Sequence, residues 1–189
     1  MSLNGNGTDS DRDNWSDLAM SYHTVRPNKW TFQSTKIRKW VEARLSGRVL
    51  NVCAGKTKLD HDRRIIRNDI NEERDADTHH DVCEISKYYD AGSFDTIIYD
   101  PPFSDYQSDR RYEGQKVGTD TLAKKELNTL IAPGGTIIQF GYTTTCMPMS
   151  LPYERQEVAV WNTLGRSNDY LSVIDQKEGE NDSEPRWFK

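Results

Sequence analysis

Nothing in these 189 residues looks like a membrane span: no apolar run approaches the roughly 20 residues needed to cross a bilayer. A charged start followed by a short apolar run, the mark of an export signal, is also missing. A cytoplasmic, membrane-free setting is therefore expected. Cysteine is sparse. Cys53, Cys83 and Cys146 are scattered, with no CxxC pair to suggest a zinc knuckle or a dithiol motif. Reduced thiols packed as small apolar groups are expected instead. Glycine is scarce where nucleotide loops need it. No G-x-G-x-x-G is present, and Gly55-Lys56-Thr57 would need a further glycine at Leu50 to make a phosphate loop. His79-His80-Asp81 and Asp60-His61-Asp62 read as short polar turns, and no metal site is expected.

Apolar residues, cysteine and tyrosine included, make up 34% of the chain, and 12 glycines raise this to about 40%. That is below the roughly 45–50% of ordinary domains. A chain of this length still buries a core without staples, so the shortfall points to solvated ends. Residues 1–20, rich in Gly, Asn, Asp and Ser, and the acidic stretch 177–189 are expected to be loose tails. A single domain, 21–176, lies between them. The net charge of −5 is unevenly spread. Between Tyr22 and Arg48 seven bases (Arg26, Lys29, Lys36, Arg38, Lys39, Arg44, Arg48) face one acid, Glu42, so this segment carries +6 and the rest −11. A basic region on an acidic body is open to two readings, one nucleic-acid face or a plain solvated helix side.

Periodicity predicts a helix over Thr35–Ser46, where Ile37, Trp40, Val41 and Leu45 make one apolar stripe, with Ser34 as cap and Gly47 as stop. A second helix is predicted from Thr121 to Ile131, halted by Pro133-Gly134-Gly135. Strands are predicted at Val49–Cys53, Ile65–Asp69, Phe94–Tyr99 and Thr136–Phe140. A closing antiparallel hairpin follows, Glu157–Asn162 with Tyr170–Asp175. Between Cys53 and Ile65 there is room for a helix of one or two turns only. Near-continuous runs such as Thr96-Ile97-Ile98 suit strands buried on both faces. The fold class expected is α/β, a doubly wound, mainly parallel sheet with a C-terminal antiparallel hairpin. Ligands in such sheets bind outside the carboxyl ends of the strands, where Gly55, Asp69 and Asp100 all fall.

Asp100-Pro101-Pro102-Phe103 is the most specific signal. Neither proline can donate to a sheet ladder, so the strand must end there in a stiff turn. A carboxylate and an adjacent backbone carbonyl are acceptors able to hold both hydrogens of an –NH2 group. A flat ring beside them can stack on a heterocycle, worth about 1–3 kcal/mol per base.

With these residues the chain resembles the class I S-adenosylmethionine-dependent amino-methyltransferases, which carry a (D/N/S)-P-P-(Y/F/W) tetrapeptide; the likeness covers roughly Thr35 to Lys177. The DPPF form is most similar to adenine-N6 DNA enzymes and is shared by some guanine-N2 RNA enzymes. The resemblance implies a Rossmann-like fold and S-adenosyl-L-methionine as cofactor. It assigns Asp100, Pro101, Pro102 and Phe103 to catalysis. Cofactor binding falls to Asn51, Cys53, Ala54 and Gly55 of the first motif, to Asp69 with Ile70 for the ribose, to Asp81 with Val82 for the adenine, and to Asp100. In that first motif Asn51 stands in place of the usual acid and Thr57 in place of the second glycine. Phe103, Tyr106, Arg110 and Arg111, in or beside the loop Ser104–Thr119, are the expected substrate contacts. The implied partner is nucleic acid, DNA ahead of RNA, and a specificity subunit or a second copy of the chain would supply target recognition. A non-catalytic nucleic-acid-binding subunit that keeps the fold is the alternative from another class.

Overall fold

The computed structural model describes residues 18–62, 65–102, 120–165 and 168–179. Seven strands form one sheet: β1 Ala19–Val25, β2 Val49–Asn51, β3 Ile65–Arg67, β4 Phe94–Tyr99, β5 Ile131–Gly141, β6 Tyr153–Thr163 and β7 Tyr170–Lys177. Their order across the sheet is β1-β6-β7-β5-β4-β2-β3. The β2–β3, β2–β4, β4–β5 and β1–β6 pairs are parallel. Strand β7 runs antiparallel to both neighbours, β5 and β6. The mainly parallel α/β sheet is as expected. The hairpin, however, is not its edge, because β7 is inserted beside β5 and β1 closes the sheet outside β6.

Strand β1 has no counterpart in the sequence reading, and it begins at Ala19, inside the stretch expected to be tail. Its own pattern is weak, with Met20 and Tyr22 exposed. What holds it is its partner: it pairs with β6 from Ala19↔Glu157 to Val25↔Thr163, and His23 stacks on Trp161 with ring centroids 4.5 Å apart.

Two layers cover the sheet. On one face, α2 (Asp120–Leu130) and a 3-10 helix, Val82–Lys87, pack against a core that includes Leu50, Val52, Ile97, Tyr99, Leu127 and Ile137. On the other, α1 (Thr35–Glu42) buries Ile37, Trp40 and Val41 against Val49, Ile98, Ile138, Phe140 and Trp161. Burial of such side chains, at roughly 25 cal/mol per Å² of apolar surface, is what holds the layers together. Ser34 caps α1 as predicted, its hydroxyl accepting from the Ile37 N–H at 3.4 Å. The helix stops at Glu42 rather than Ser46. Past it the Arg44 and Leu45 N–H groups bond three residues back, to Val41 and Glu42. Arg44 then turns its guanidinium to Glu157, with both N–O distances 2.7 Å.

Pro133-Gly134-Gly135 lies inside β5 instead of ending a helix. A register shift against β4 absorbs it. Gly135 is required there, since a Cβ would stand 2.9 Å from the Ala132 carbonyl oxygen. The short helix expected between Lys56 and Arg64 is not found among the described residues of that stretch. The chain there runs as turns and extended backbone, pinned where the Asp60 N–H donates to Glu42.

Candidate active site

The parallel strands β2, β3, β4 and β5 bring their carboxyl ends to one edge of the sheet, and the predicted motifs meet there. A cleft of about 330 Å³, open in part to solvent, is lined by Val52, Cys53, Asp69, Ile70, His80, Asp81, Val82 and Pro102. Six of these were expected at a site; Val52 and His80 were not. Asn51 and Ala54, also expected to bind cofactor, are buried at 1% and 2% exposure, behind the lining residues. Asp100 and Pro101 stand half-buried at the end of β4 beside Pro102. Phe103, Tyr106, Arg110 and Arg111 lie outside the described residues.

Local chemistry explains the shape of the cleft. After β2 the chain turns through Gly55, whose φ of +56° is a left-handed conformation that a side chain disfavours. The turn is fastened to β3: the Ala54 N–H donates to the Asn68 carbonyl at 2.9 Å, and the Gly55 N–H donates to Asp69 Oδ2 at 2.8 Å. Arg67 Nη2 donates to the Gly55 carbonyl at 3.1 Å from the other side. The indole of Trp30 packs against the turn, 3.5 Å from where a Gly55 Cβ would stand.

Asp69 lines the cleft, yet only 2% of its surface is exposed, and both carboxylate oxygens are engaged by the chain's own backbone. Oδ2 accepts from Gly55 and Oδ1 from the Asn71 N–H at 3.0 Å. A carboxylate has about four lone-pair positions, so two remain for a ligand.

Asn68, which sequence reasoning missed, is the hub of this edge. Its amide nitrogen donates to the Val52 and His80 carbonyls at 3.2 and 2.9 Å. Its amide oxygen accepts from the Thr78 hydroxyl and the His80 N–H, both at 2.9 Å. One buried side chain thereby ties β2, β3 and the segment carrying Asp81 into a single unit. The signal for it was a polar residue directly following an apolar strand, which looks the same as an ordinary strand end.

Asp81 caps the 3-10 helix, its Oδ1 accepting from the Cys83 N–H at 2.9 Å. The histidines expected in polar turns make specific contacts: His79 Nδ1 donates to the Asp69 carbonyl at 2.8 Å, and His80 stacks on Tyr88 with centroids 3.5 Å apart. Among the described residues no group of three or more His, Cys, Asp or Glu side chains is placed to hold a metal ion.

The Cys53 thiol is pushed well above its ordinary pKa, first by burial and then by the negative charges of Asp69, Asp100 and Asp81. Two acids that follow strand ends, Asp69 and Asp100, and the helix-capping Asp81 thus act on one thiol that lines the cleft. Tyr99, directly before Asp100, is also held neutral, by burial and by Cys53 and Asp120. Its hydroxyl donates to Asp120 Oδ1 at 3.2 Å, while Asp120 Oδ2 pairs with the buried Lys124 at 2.7 Å.

No protein-family model matches this chain, and neither does any curated protein sequence. Solved structures do match. TrmN from Thermus thermophilus is similar over 76% of this chain, with a TM-score of 0.54 and 13% identity. The 1,6-didemethyltoxoflavin-N1-methyltransferase of Burkholderia thailandensis, bound to 1,6-didemethyltoxoflavin and S-adenosylhomocysteine, gives 0.51 over 75% at 13% identity. The fold is that of the class I methyltransferases. A third structure with this fold, yhhF from Escherichia coli, is similar over 83% of this chain and 90% of its own, with a TM-score of 0.50 and 10% identity. The present chain spans about half of TrmN, 49% of that chain. Identities this low speak for the class I fold alone.

Several bases of the segment Tyr22–Arg48 have partners within the fold. Arg38 pairs with Glu42 and Arg44 with Glu157. Arg48, at the start of β2, lies over the Phe94 ring at 4.6 Å. Lys29 lies over Trp30, beside the turn that follows the same strand.

Proposed function

We propose that this chain is an S-adenosylmethionine-dependent methyltransferase acting on an exocyclic amine of a nucleic-acid base, adenine N6 in DNA foremost. The observation that carries the reading is the meeting of Asp100-Pro101-Pro102 with the cleft formed by Cys53, Asp69, Ile70, Asp81 and Val82.

The residues present suit the cofactor. Ile70 and Val82 offer apolar walls for a flat adenine, with Asp81 beside them to accept from its amine. Asp69 retains lone pairs for ribose hydroxyls. Asn51 Oδ1 is buried and has no hydrogen-bond partner, an unmet acceptor under the turn where the cationic amine of a methionine end would be welcome. When bound, S-adenosylmethionine supplies an electrophilic methyl group on a positively charged sulfur.

The rest of the chemistry falls to the chain. An exocyclic base amine is a weak nucleophile because its lone pair is delocalised into the ring. The Asp100 carboxylate and the Pro101 carbonyl would accept its two hydrogens, return electron density to nitrogen and fix its direction. Orientation of this kind can contribute roughly 7–11 kcal/mol to a barrier. The stiffness of two consecutive prolines keeps those acceptors in place. A base within a duplex would first be flipped out, at a few kcal/mol.

The test is incubation with methyl-labelled cofactor and DNA, duplex and single-stranded, followed by digestion to nucleosides. Labelled N6-methyladenine is expected. Absence of label from DNA defeats the DNA assignment, and label appearing only from structured RNA moves the substrate to RNA. A second reading, a nucleic-acid-binding module without turnover, is favoured by one observation: both Asp69 oxygens already serve the chain's own backbone. Calorimetry with S-adenosylhomocysteine separates the two, since such a module gives no cofactor heat.

A further inference from the structure

The sheet order assigns opposite sides of Asp100 to the two reactants of the proposed transfer. The cleft draws its walls from the ends of β2 and β3. Strand β5 flanks β4 on the other side. In an in-line displacement the attacking nitrogen approaches opposite the departing sulfur, so the acceptor base has to lie over the end of β5. What the chain presents there is Gly141-Tyr142-Thr143-Thr144-Thr145, with Tyr142 and the three threonines exposed.

Strand β4 ends at Tyr99 and β5 at Gly141, so Pro102 and Tyr142 both lie just past the carboxyl ends of neighbouring strands. Tyr142 is 37% exposed, unlike the tyrosines of the core. Its ring is braced by the buried Tyr170, at 5.9 Å between centroids and 31° between planes. A braced, partly open aromatic ring at this edge of the sheet is a stacking platform: every base has a π-face, and little side-chain freedom is lost on contact. The hydroxyls of Thr143, Thr144 and Thr145 are the kind of neutral groups that meet phosphate oxygens and set the register of a strand.

We infer that Tyr142 is a substrate-binding residue that stacks on the acceptor base or its immediate neighbour, with Thr143–Thr145 facing the adjoining phosphates. This rests on the proposed function, and it places the acceptor strand across the β5 end of the sheet.

The full chain and its Tyr142→Ala and Tyr142→Phe variants are compared on a single-stranded oligonucleotide with 2-aminopurine beside the target adenine. Methyl transfer, 2-aminopurine fluorescence and S-adenosylhomocysteine heat are measured. Tyr142→Ala is expected to raise KM for the oligonucleotide about ten- to a hundredfold. It leaves kcat and S-adenosylhomocysteine affinity within about threefold. Quenching of the fluorophore by stacking is lost in the same variant. Tyr142→Phe, which keeps the ring, restores both. Retained S-adenosylhomocysteine heat shows that a variant is folded. If the parent transfers methyl and Tyr142→Ala has an unchanged KM, or Tyr142→Phe is as poor as Tyr142→Ala, the inference alone is overturned. If the parent binds S-adenosylhomocysteine but neither binds nor modifies any oligonucleotide, the nucleic-acid reading fails and takes the inference with it.

Discussion

Replacing Asp69 by alanine should destabilise the fold before it affects any ligand. The carboxylate is 2% exposed and accepts two backbone N–H groups, from Gly55 at 2.8 Å and Asn71 at 3.0 Å. Both donors belong to buried residues, so truncation strands two N–H groups away from water. Each stranded donor costs about 1–3 kcal/mol. Removal of the buried carboxylate returns part of its own desolvation penalty. The net expectation is a loss of about 3 kcal/mol, a melting decrease of roughly 6–12 °C for a chain of this size. Asp69→Asn keeps one acceptor and turns an NH2 toward the other donor, so it should lose about half as much. Urea titration is the assay, with an unchanged m-value as the sign that the two states themselves are unaltered. A midpoint for Asp69→Ala indistinguishable from the parent would refute the claim that this side chain fastens the Gly55 turn to β3. The comparison also calibrates cofactor work: loss of S-adenosylhomocysteine binding in the alanine variant supports the ligand role only where the more stable asparagine variant shares it.

Gly55→Ala forces a side chain into φ +56° and should cost about 1–2 kcal/mol. The Trp30 ring at 3.5 Å is ordinary contact, so the penalty comes from the backbone; a denaturation midpoint equal to the parent's contradicts this. Asp100→Ala should slow single-turnover methyl transfer by about 10³-fold or more. Cofactor affinity, read by calorimetry, should fall far less than the rate, and retained turnover removes Asp100 from the mechanism. Stability should fall in alkali. Cys83 ionises at about 11 in the folded chain and the Cys53 and Cys146 thiols are raised as well, in each case mainly by burial. Unfolding returns them to about 8.5, so above that pH the folded state binds more protons. Their stabilisation is complete below about pH 8.5 and is lost as pH climbs toward the folded values, at about 1.4 kcal/mol per pH unit for each thiol. Melting temperatures across pH 8–11 check the slope, and a flat profile rejects it.

Much of the cleft was legible before folding because its signals are local. Asp100-Pro101-Pro102 must end a strand, since two residues in succession lack a donor, and β4 ends there. Gly55 breaks the strand of a turn, and the Ser34 cap and the α1 stripe stand where hydrogen-bonding need and 3.6-residue periodicity put them. Parallel strand pairing then aligns the carboxyl ends, which brings Cys53, Asp69 and Pro102 to one cleft; Asp81 joins them through the bonds of Asn68 to Thr78 and His80. The expected helix after Lys56 failed for a local reason too: a stretch so short and polar has no apolar stripe to bury.

Sequence by itself, then, determined where strands stop and which acids follow them, because dihedral limits, missing donors and side-chain period act within a few residues. Tertiary structure decided the rest. The pairing Ala19↔Glu157 joins residues far apart in the chain; it depends on His23 meeting Trp161, which no local pattern encodes. Insertion of β7 between β5 and β6 is likewise a choice among partners of similar hydrophobicity. The direction of a carboxylate is settled by the donors that surround it after folding. Asp69 turns to two backbone N–H groups, and the Asn68 amide meets two carbonyls, one hydroxyl and one N–H, because burial leaves them no water to turn to.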